Sequence, residues 1–246
     1  MTDDSGKRFF DSTRHSRIHL VGGEMDWSAQ PEWLTTYPQA PRVDMPSVEA
    51  LPAAGADIFD VMALRRSERD YGDEPLTLAE LARLLWAAAG VTAEQAGFAF
   101  RTAPSAGGLY PIETYAIVHN VDGVAPGVYH YAVLDHALEQ LTAGDQRVAA
   151  ARAALGQPIA ATAAALFVWS AVLERSQWKY GERAFRYIFL DAAHIAQNVA
   201  LAAVALGLGS CQIAAFFDDE AASLLGVDTK SEPVVYMTTV GRPAAG

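Results

Sequence analysis

Hydrophobic and polar positions fall into two regimes that meet near residue 57. Residues 1–56 show no sustained period, and Pro31, Pro38, Pro41, Pro46 and Pro52 interrupt any helix. This stretch reads as an extended N-terminal arm. Its aromatics Phe9, Phe10, Trp27, Trp33 and Tyr37 argue against disorder, because disordered tails are poor in such residues. They can be buried on a partner subunit or on the arm's own domain, and both readings stand. Residues 57–246 read as one folded domain. Asp57 is a candidate N-cap for a short helix running to Arg66. Thr77 and Glu80 have the T-x-x-E spacing of a capping box and predict a helix from Leu78 to Ala89, stopped by Gly90. Alternation, then an apolar run, predicts a strand over Glu113–Asn120. Gly127–Val133 and Ala137–Leu141 form a hairpin pattern, and Asp145 can cap a helix reaching Leu155. Ala163–Val172 suits a central strand or a helix, with the second half read as strand. Glu182–Leu206 is the longest helical pattern and ends at Gly207. It is apolar on most sides, so the core and a second surface should both bury it. A short strand over Ser210–Phe216, a helix capped by Asp218 and ending before Gly226, and a final strand over Val234–Val240 complete the chain. The order predicts an α+β fold with helices packed around a mixed or antiparallel sheet.

Composition narrows the partners. The chain has 246 residues, 51% of them apolar, and a formal net charge of −11. Nucleic acid needs a basic surface and is not an expected partner. An anionic ligand must be held by local arginines working against the global field. Cys211 is the single cysteine, which excludes an intramolecular disulfide and a C-x-x-C metal site. No apolar run follows Lys7, Arg8, Arg14 and Arg17, and no charge-free stretch reaches eighteen apolar residues, so neither a signal peptide nor a membrane span is expected. A cytoplasmic protein follows. His15, His19, His119, His130, His136 and His194 lack metal-ligand spacing, so no metal is expected. His194, inside the long helix, reads as a buried, satisfied histidine. The Rossmann, P-loop and nucleophile-elbow motifs are absent.

Four stretches carry candidate chemistry. Pro104-Ser105-Ala106-Gly107-Gly108-Leu109-Tyr110-Pro111 is a small-residue loop between ordered segments. Its paired glycines let a flat ligand approach the backbone, although an ordinary tight turn has the same composition. Arg65, Arg66 and Arg69 surround Ser67 in an otherwise acidic chain. Guanidinium forks suit phosphate and polarised oxygens, and they also suit a solvated helix end. Lys179 and Tyr180 lie within RSQWKYGERAFRY at 175–187. A lysine against Trp178, Phe185 and Tyr187 could act as a base; an exposed lysine at a helix start is the plainer reading. Gly207-Leu208-Gly209-Ser210 leads into the small-side-chain run Cys211–Phe216, where backbone N–H groups would be accessible, and Arg242 adds a cation after the last strand.

Together these segments resemble the flavin-dependent nitroreductase superfamily, and within it the SagB-type dehydrogenases, the azoline oxidases of thiazole- and oxazole-modified peptides. The similarity runs through R-R-S-x-R-x-Y at 65–71, PSAGGLYP at 104–111, WKYG at 178–181, YIFLDAAHIAQN at 187–198, ALGLGSCQIAAF at 205–216 and VGRP at 240–243. The resemblance implies a nitroreductase fold, noncovalent FMN and an obligate homodimer with flavin at the subunit interface. By matching positions, Arg65, Arg66, Ser67 and Arg69 would hold the flavin pyrimidine edge, ribityl chain and phosphate. Pro104, Ser105, Ala106, Gly107 and Leu109 would line the ring from the partner subunit. Ile213, Ala214 and Ala215 would bring a backbone N–H to the flavin N5, and Arg242 would help hold the phosphate. Lys179 and Tyr180 match the pair that assists azoline oxidation. A peptide or carrier-bound azoline would be the substrate; the alternative is an NAD(P)H-dependent nitro or quinone reductase on the same fold, or a flavin-binding partner subunit without activity.

Overall fold

Seven strands form one sheet: β1 (Arg42–Asp44), β4 (Ile112–Val118), β5 (Gly127–Ala132), β6 (Ala137–Ala143), β7 (Ala165–Ala171), β8 (Gly209–Ile213) and β9 (Val234–Gly241), in the order β1-β6-β5-β4-β7-β9-β8. Every pairing in it is antiparallel. A computed structural model describes residues 4–18, 20–22, 25–52, 55–95 and 97–244; His19 and Gly246 lie outside them.

The two central strands, β4 and β7, are buried along their whole length, which suits the apolar runs 115–118 and 165–169; Glu113, Thr114 and Ser170 are buried polar residues within them. Side chains still point to opposite faces at every second residue. Phe167 and Trp169 enter a core shared with α3 (Leu78–Ala89) and α7 (Ala184–Ala205), while Leu166 and Val168 enter a second core under α4 (Arg147–Ala153) and α8 (Asp218–Leu225). Helix α3 starts at the anticipated capping box: Thr77 accepts from the Glu80 N–H, and Glu80 reaches back to the Thr77 N–H. It stops at Gly90, where a Cβ would collide with the Trp86 ring.

The elements depart from the sequence reading at several points. Helix α7 begins at Ala184, because Gly181 at φ +52° breaks the chain after α6 (Leu173–Tyr180) and a 3-10 turn over Gly181–Arg183 restarts it. Lys179 therefore sits in the last turn of a helix and not at a start. His194 is exposed on α7, not buried. Phe217 occupies the N-cap position of α8, with Asp218 already helical. The eighth strand ends at Ile213, so Ala214 and Ala215 are loop. A hairpin of β2 (Val91–Gln95) and β3 (Phe98–Arg101) projects between α3 and the small-residue loop. The run Leu173–Ala205 has the length and apolarity of a membrane span, yet α7 packs on α3 and the sheet.

The arm is not wholly extended. It carries a helix, α1 (Ser5–Ser12), and contributes β1 to the sheet edge. Several of its described residues are tied to their own domain. Arg183 and Arg186 donate to the carbonyls of Thr13 and Phe10, both at 2.6 Å, and Arg175 donates to the Glu32 carbonyl at 2.8 Å. Two turns of helix between polar residues leave too short a pattern to read from sequence.

Candidate functional site

The small-residue loop is fixed from below by a carboxylate on α7. Asp191 accepts from the Ser105 hydroxyl at 2.6 Å and from the Ala106 N–H at 3.2 Å. The same Ser105 oxygen accepts from the Tyr110 N–H at 2.9 Å. Gly107 and Gly108 follow at φ +67° and +66°, a region that glycine enters without strain. Burial pushes the Asp191 carboxyl up, against the pull of its two hydrogen bonds. Asp191 lies inside a matched motif, but no role was assigned to it from sequence. Its one available signal is a lone carboxylate in an apolar helix.

Lys179 and Tyr180 converge on this loop. A Cβ built on Gly107 would lie 2.5 Å from the Tyr180 Oη and 3.0 Å from the Lys179 Nζ. A larger side chain at Gly107 would have to push the ends of Lys179 and Tyr180 aside and would be strained at φ +67°. Lys179 Nζ stands 5.5 Å from the Tyr180 ring centroid, and Tyr180 packs edge-on against Tyr187 at 4.7 Å. Burial, then the nearby Tyr187 and Asp191, raises the Tyr180 phenol. At neutral pH it keeps its proton and is a donor. Gly107, Leu109 and Lys179 also help line a cleft of about 430 Å³.

The arginine segment is positioned by backbone. After α2 (Ile58–Leu64), Ser67 bridges to Ser210, the Glu68 N–H donates to the Ser210 carbonyl at 2.9 Å, and Tyr71 bridges to Pro243. Gly209 must be glycine, since a Cβ there would meet the Glu68 side chain at 2.6 Å. Residues 65–71, 209–210 and 242–243 thus share one sheet edge. Arg66 donates only to the carbonyls of Ala63 and Arg65, and Arg69 to that of Ser67. Among the described residues no carboxylate lies within ion-pair distance of Arg65, Arg66 or Arg69. Arg242 differs: it pairs with Glu80 at 2.9 Å and Glu74 at 3.6 Å.

Of the other anticipated residues, Pro104 is exposed beside the loop, and Ile213 turns its side chain into the second core. Ala214 borders an apolar groove of about 600 Å³ with Phe185, Phe189, Phe216 and Tyr236. Ala215 is exposed, and its carbonyl accepts from Gln157. Among the described residues no hydrogen bond joins segment 65–69 to loop 104–109. One chain therefore carries two separate clusters, one with arginines free of carboxylates among the described residues and one with the bare loop beside Lys179 and Tyr180.

A buried ionic group missed from sequence supports the loop side. Arg175 Nη1 meets Glu113 at 2.6 Å; Glu113 also meets His130 Nε2 at 3.1 Å, and His130 Nδ1 meets Glu139 at 2.8 Å. Burial alone would raise Glu113, but His130 and Arg175 outweigh it and hold the carboxyl down to about 2.

Comparison with known proteins identifies the family. The profile of the Nitroreductase family matches residues 62–242. A Methanocaldococcus jannaschii protein named as a nitroreductase is 40% identical over 200 residues, covering 81% of this chain and 96% of that protein. The microcin B17-processing protein of Escherichia coli is 29% identical over 147 residues, 53% of this chain and 50% of that one. The structure of an Anabaena variabilis protein assigned to the nitroreductases superposes with a TM-score of 0.75 at 29% identity, covering 96% of this chain and 47% of that chain. The chain thus spans about half the length of two of these relatives. The matched span takes in the arginine segment, the loop, the Lys179–Tyr180 pair and the last strand, and the chain belongs to the nitroreductase family.

Proposed function

We propose that the protein is an FMN-dependent oxidoreductase that completes its site as a homodimer and oxidises an azoline ring, thiazoline or oxazoline, to the azole. The observation that carries this reading is the meeting of Lys179 and Tyr180 over the bare backbone of Gly107. The residues present fit a flavin. Guanidiniums without carboxylates suit its phosphate and electron-rich pyrimidine edge. A side-chain-free loop suits a flat ring. The exposed Ala214–Ala215 backbone suits a polar ring edge, and the apolar groove beside it suits a second copy of the chain.

FMN held by these residues would supply two-electron, hydride-accepting chemistry. The chain's own residues do the rest. Aromatisation also releases a proton from the ring. Tyr180, whose phenol is raised, donates a hydrogen bond to the ring and orients it. Lys179 takes the proton when it is in the amine form, and otherwise faces the ring as an ammonium. The microcin-processing relative supports a peptide-derived substrate.

A second reading, reduction of nitro or quinone compounds at the expense of NAD(P)H, draws on the family name of the 40% identical relative. Anaerobic mixing decides. An azoline substrate should bleach the yellow protein and yield azole, while NADPH leaves the colour unchanged on the same timescale. Rapid bleaching by NADPH alone would reverse the assignment. Replacing Lys179 with Met should lower azoline turnover by roughly 10²–10⁴-fold with flavin retained.

A further inference from the structure

We infer that the N-terminal arm is part of the reaction site, and that the cleft it walls selects a flat aromatic or heteroaromatic ring that is neutral or anionic and rejects a cationic one. This rests on the reading of Lys179 as the base beside the reacting ring.

The cleft of about 430 Å³ lies within the size range of small-ligand sites. Its lining includes Gly107, Leu109 and Lys179, together with Trp27 and Trp33 from the arm and Phe98 from the β2–β3 hairpin. These three rings stay 65%, 40% and 62% exposed. Large apolar rings left open in the lining of one cleft offer stacking surface to another ring, since offset and edge-on stacking adds to burial.

The arm is held there by directional bonds, not by loose apposition. The Trp178 Nε1–H donates to the Asp26 carbonyl at 2.8 Å, and Trp27 packs edge-on to Trp178 at 5.2 Å. Beside Trp33, Arg175 donates to the Glu32 carbonyl at 2.8 Å and to Thr35 Oγ1 at 3.0 Å. The ring positions are thereby coupled to the element that carries Lys179.

Charge sets the preference. Aromatic walls alone would welcome a cation. Arg175 is neutralised by Glu113, which leaves Lys179 as the charge facing the cleft. Among the described residues no carboxylate lines it. At contact distance the like-charge repulsion exceeds an exposed cation–π attraction. A neutral ring is accepted, and an anionic substituent is drawn to Lys179.

Three isosteric probes test this: 2-phenylthiazole-4-carboxylate, its carboxamide and its 4-aminomethyl analogue. Their Kd values are read by tryptophan fluorescence and calorimetry on the intact protein as purified. We expect the amine to bind at least about tenfold more weakly than the carboxylate. Trp27→Ala and Trp33→Ala should each weaken the carboxamide by about 3- to 10-fold, with flavin absorbance and Tm unchanged. Trp27→Leu keeps apolar bulk should the alanine variant unfold, and it should weaken the carboxamide by at least about threefold. Lys179→Met should bring carboxylate and amine to within about threefold of each other. An amine bound as tightly as the carboxylate, or a folded double variant lacking both tryptophans whose carboxamide Kd stays within about twofold, would overturn the inference. A colourless protein that still shows this selectivity would remove the flavin reading and leave the cleft standing.

Discussion

Arg175, Arg183 and Arg186 stand on one run of chain and Arg65, Arg66 and Arg69 on another, and their surroundings are opposite. The first three are fully engaged. Arg175 is buried against Glu113 and two carbonyls, while Arg183 and Arg186 close on the carbonyls of Thr13 and Phe10. Of the second three, Arg66 and Arg69 meet only nearby carbonyls, and none of the three has a carboxylate among the described residues. A chain with 29 acidic residues has carboxylates to spare, and on the function proposed above a surface cluster left without them is the site for the flavin phosphate. The contrast separates arginines that build the protein from arginines that wait for a ligand.

Arg175→Ala should have the largest effect. It leaves Glu113 buried beside His130 without its guanidinium and unties Glu32 and Thr35. The loss should be about 3–5 kcal/mol of unfolding free energy by denaturant titration, the usual cost of breaking a buried pair from one side. A loss below ~1 kcal/mol would mean that the arm does not depend on this pair.

Arg65→Ala and Arg69→Ala should behave in the reverse way. Unfolding free energy should move by no more than ~0.5 kcal/mol, as for surface positions without partners. FMN affinity should fall by about 10- to 100-fold per variant, since hydrogen bonds to a charged group contribute about 1.5–3 kcal/mol. Equal losses of stability in both arginine sets would erase the distinction.

The two regions should also differ in their response to pH. Burial alone would lower His130, but its bonds to Glu113 and Glu139 outweigh this and raise it. A raised histidine contributes stability that is complete below its unfolded value of about 6.5 and is lost as pH climbs through the folded one. Glu113, depressed to about 2, contributes above its unfolded value of about 4.3 and loses that contribution as pH falls toward 2. Tm should therefore be highest between about pH 4.5 and 6.5 and decline toward pH 9. His130→Gln should flatten the alkaline side of that profile, and Arg65→Ala should leave it as in the wild type.

What the sequence disclosed follows the range of the interactions involved. Thr77 and Glu80 announce their helix because the capping box closes within four residues. Gly107 announces its loop because left-handed backbone demands glycine locally. The Arg175–Glu113 pair joins residues 62 apart in sequence, and neither residue differs by type from a solvated one. Asp191 was hidden for the same reason, its partners being 85 and 86 residues away. His194 was misplaced because a helix apolar on most sides does not reveal which face meets the core. The arm's helix α1 was missed because eight residues are too few to establish a period.

The smallest effect is expected at Arg242, and it tests the contrast most sharply. Arg242 resembles the free arginines by motif and neighbours them on the same sheet edge, yet it is paired with Glu80 and Glu74 like the engaged ones. If pairing decides the role, Arg242→Ala should change FMN affinity by less than about threefold, well short of the loss at Arg65. It should cost ~0.5–1 kcal/mol of stability, because the pair is only partly exposed and Glu80 also closes the cap of α3. A tenfold loss of FMN at Arg242, measured by equilibrium titration of the apoprotein, would mean that the ligand draws the guanidinium away from its carboxylates. Position on the edge, and not freedom from pairing, would then mark the anion site.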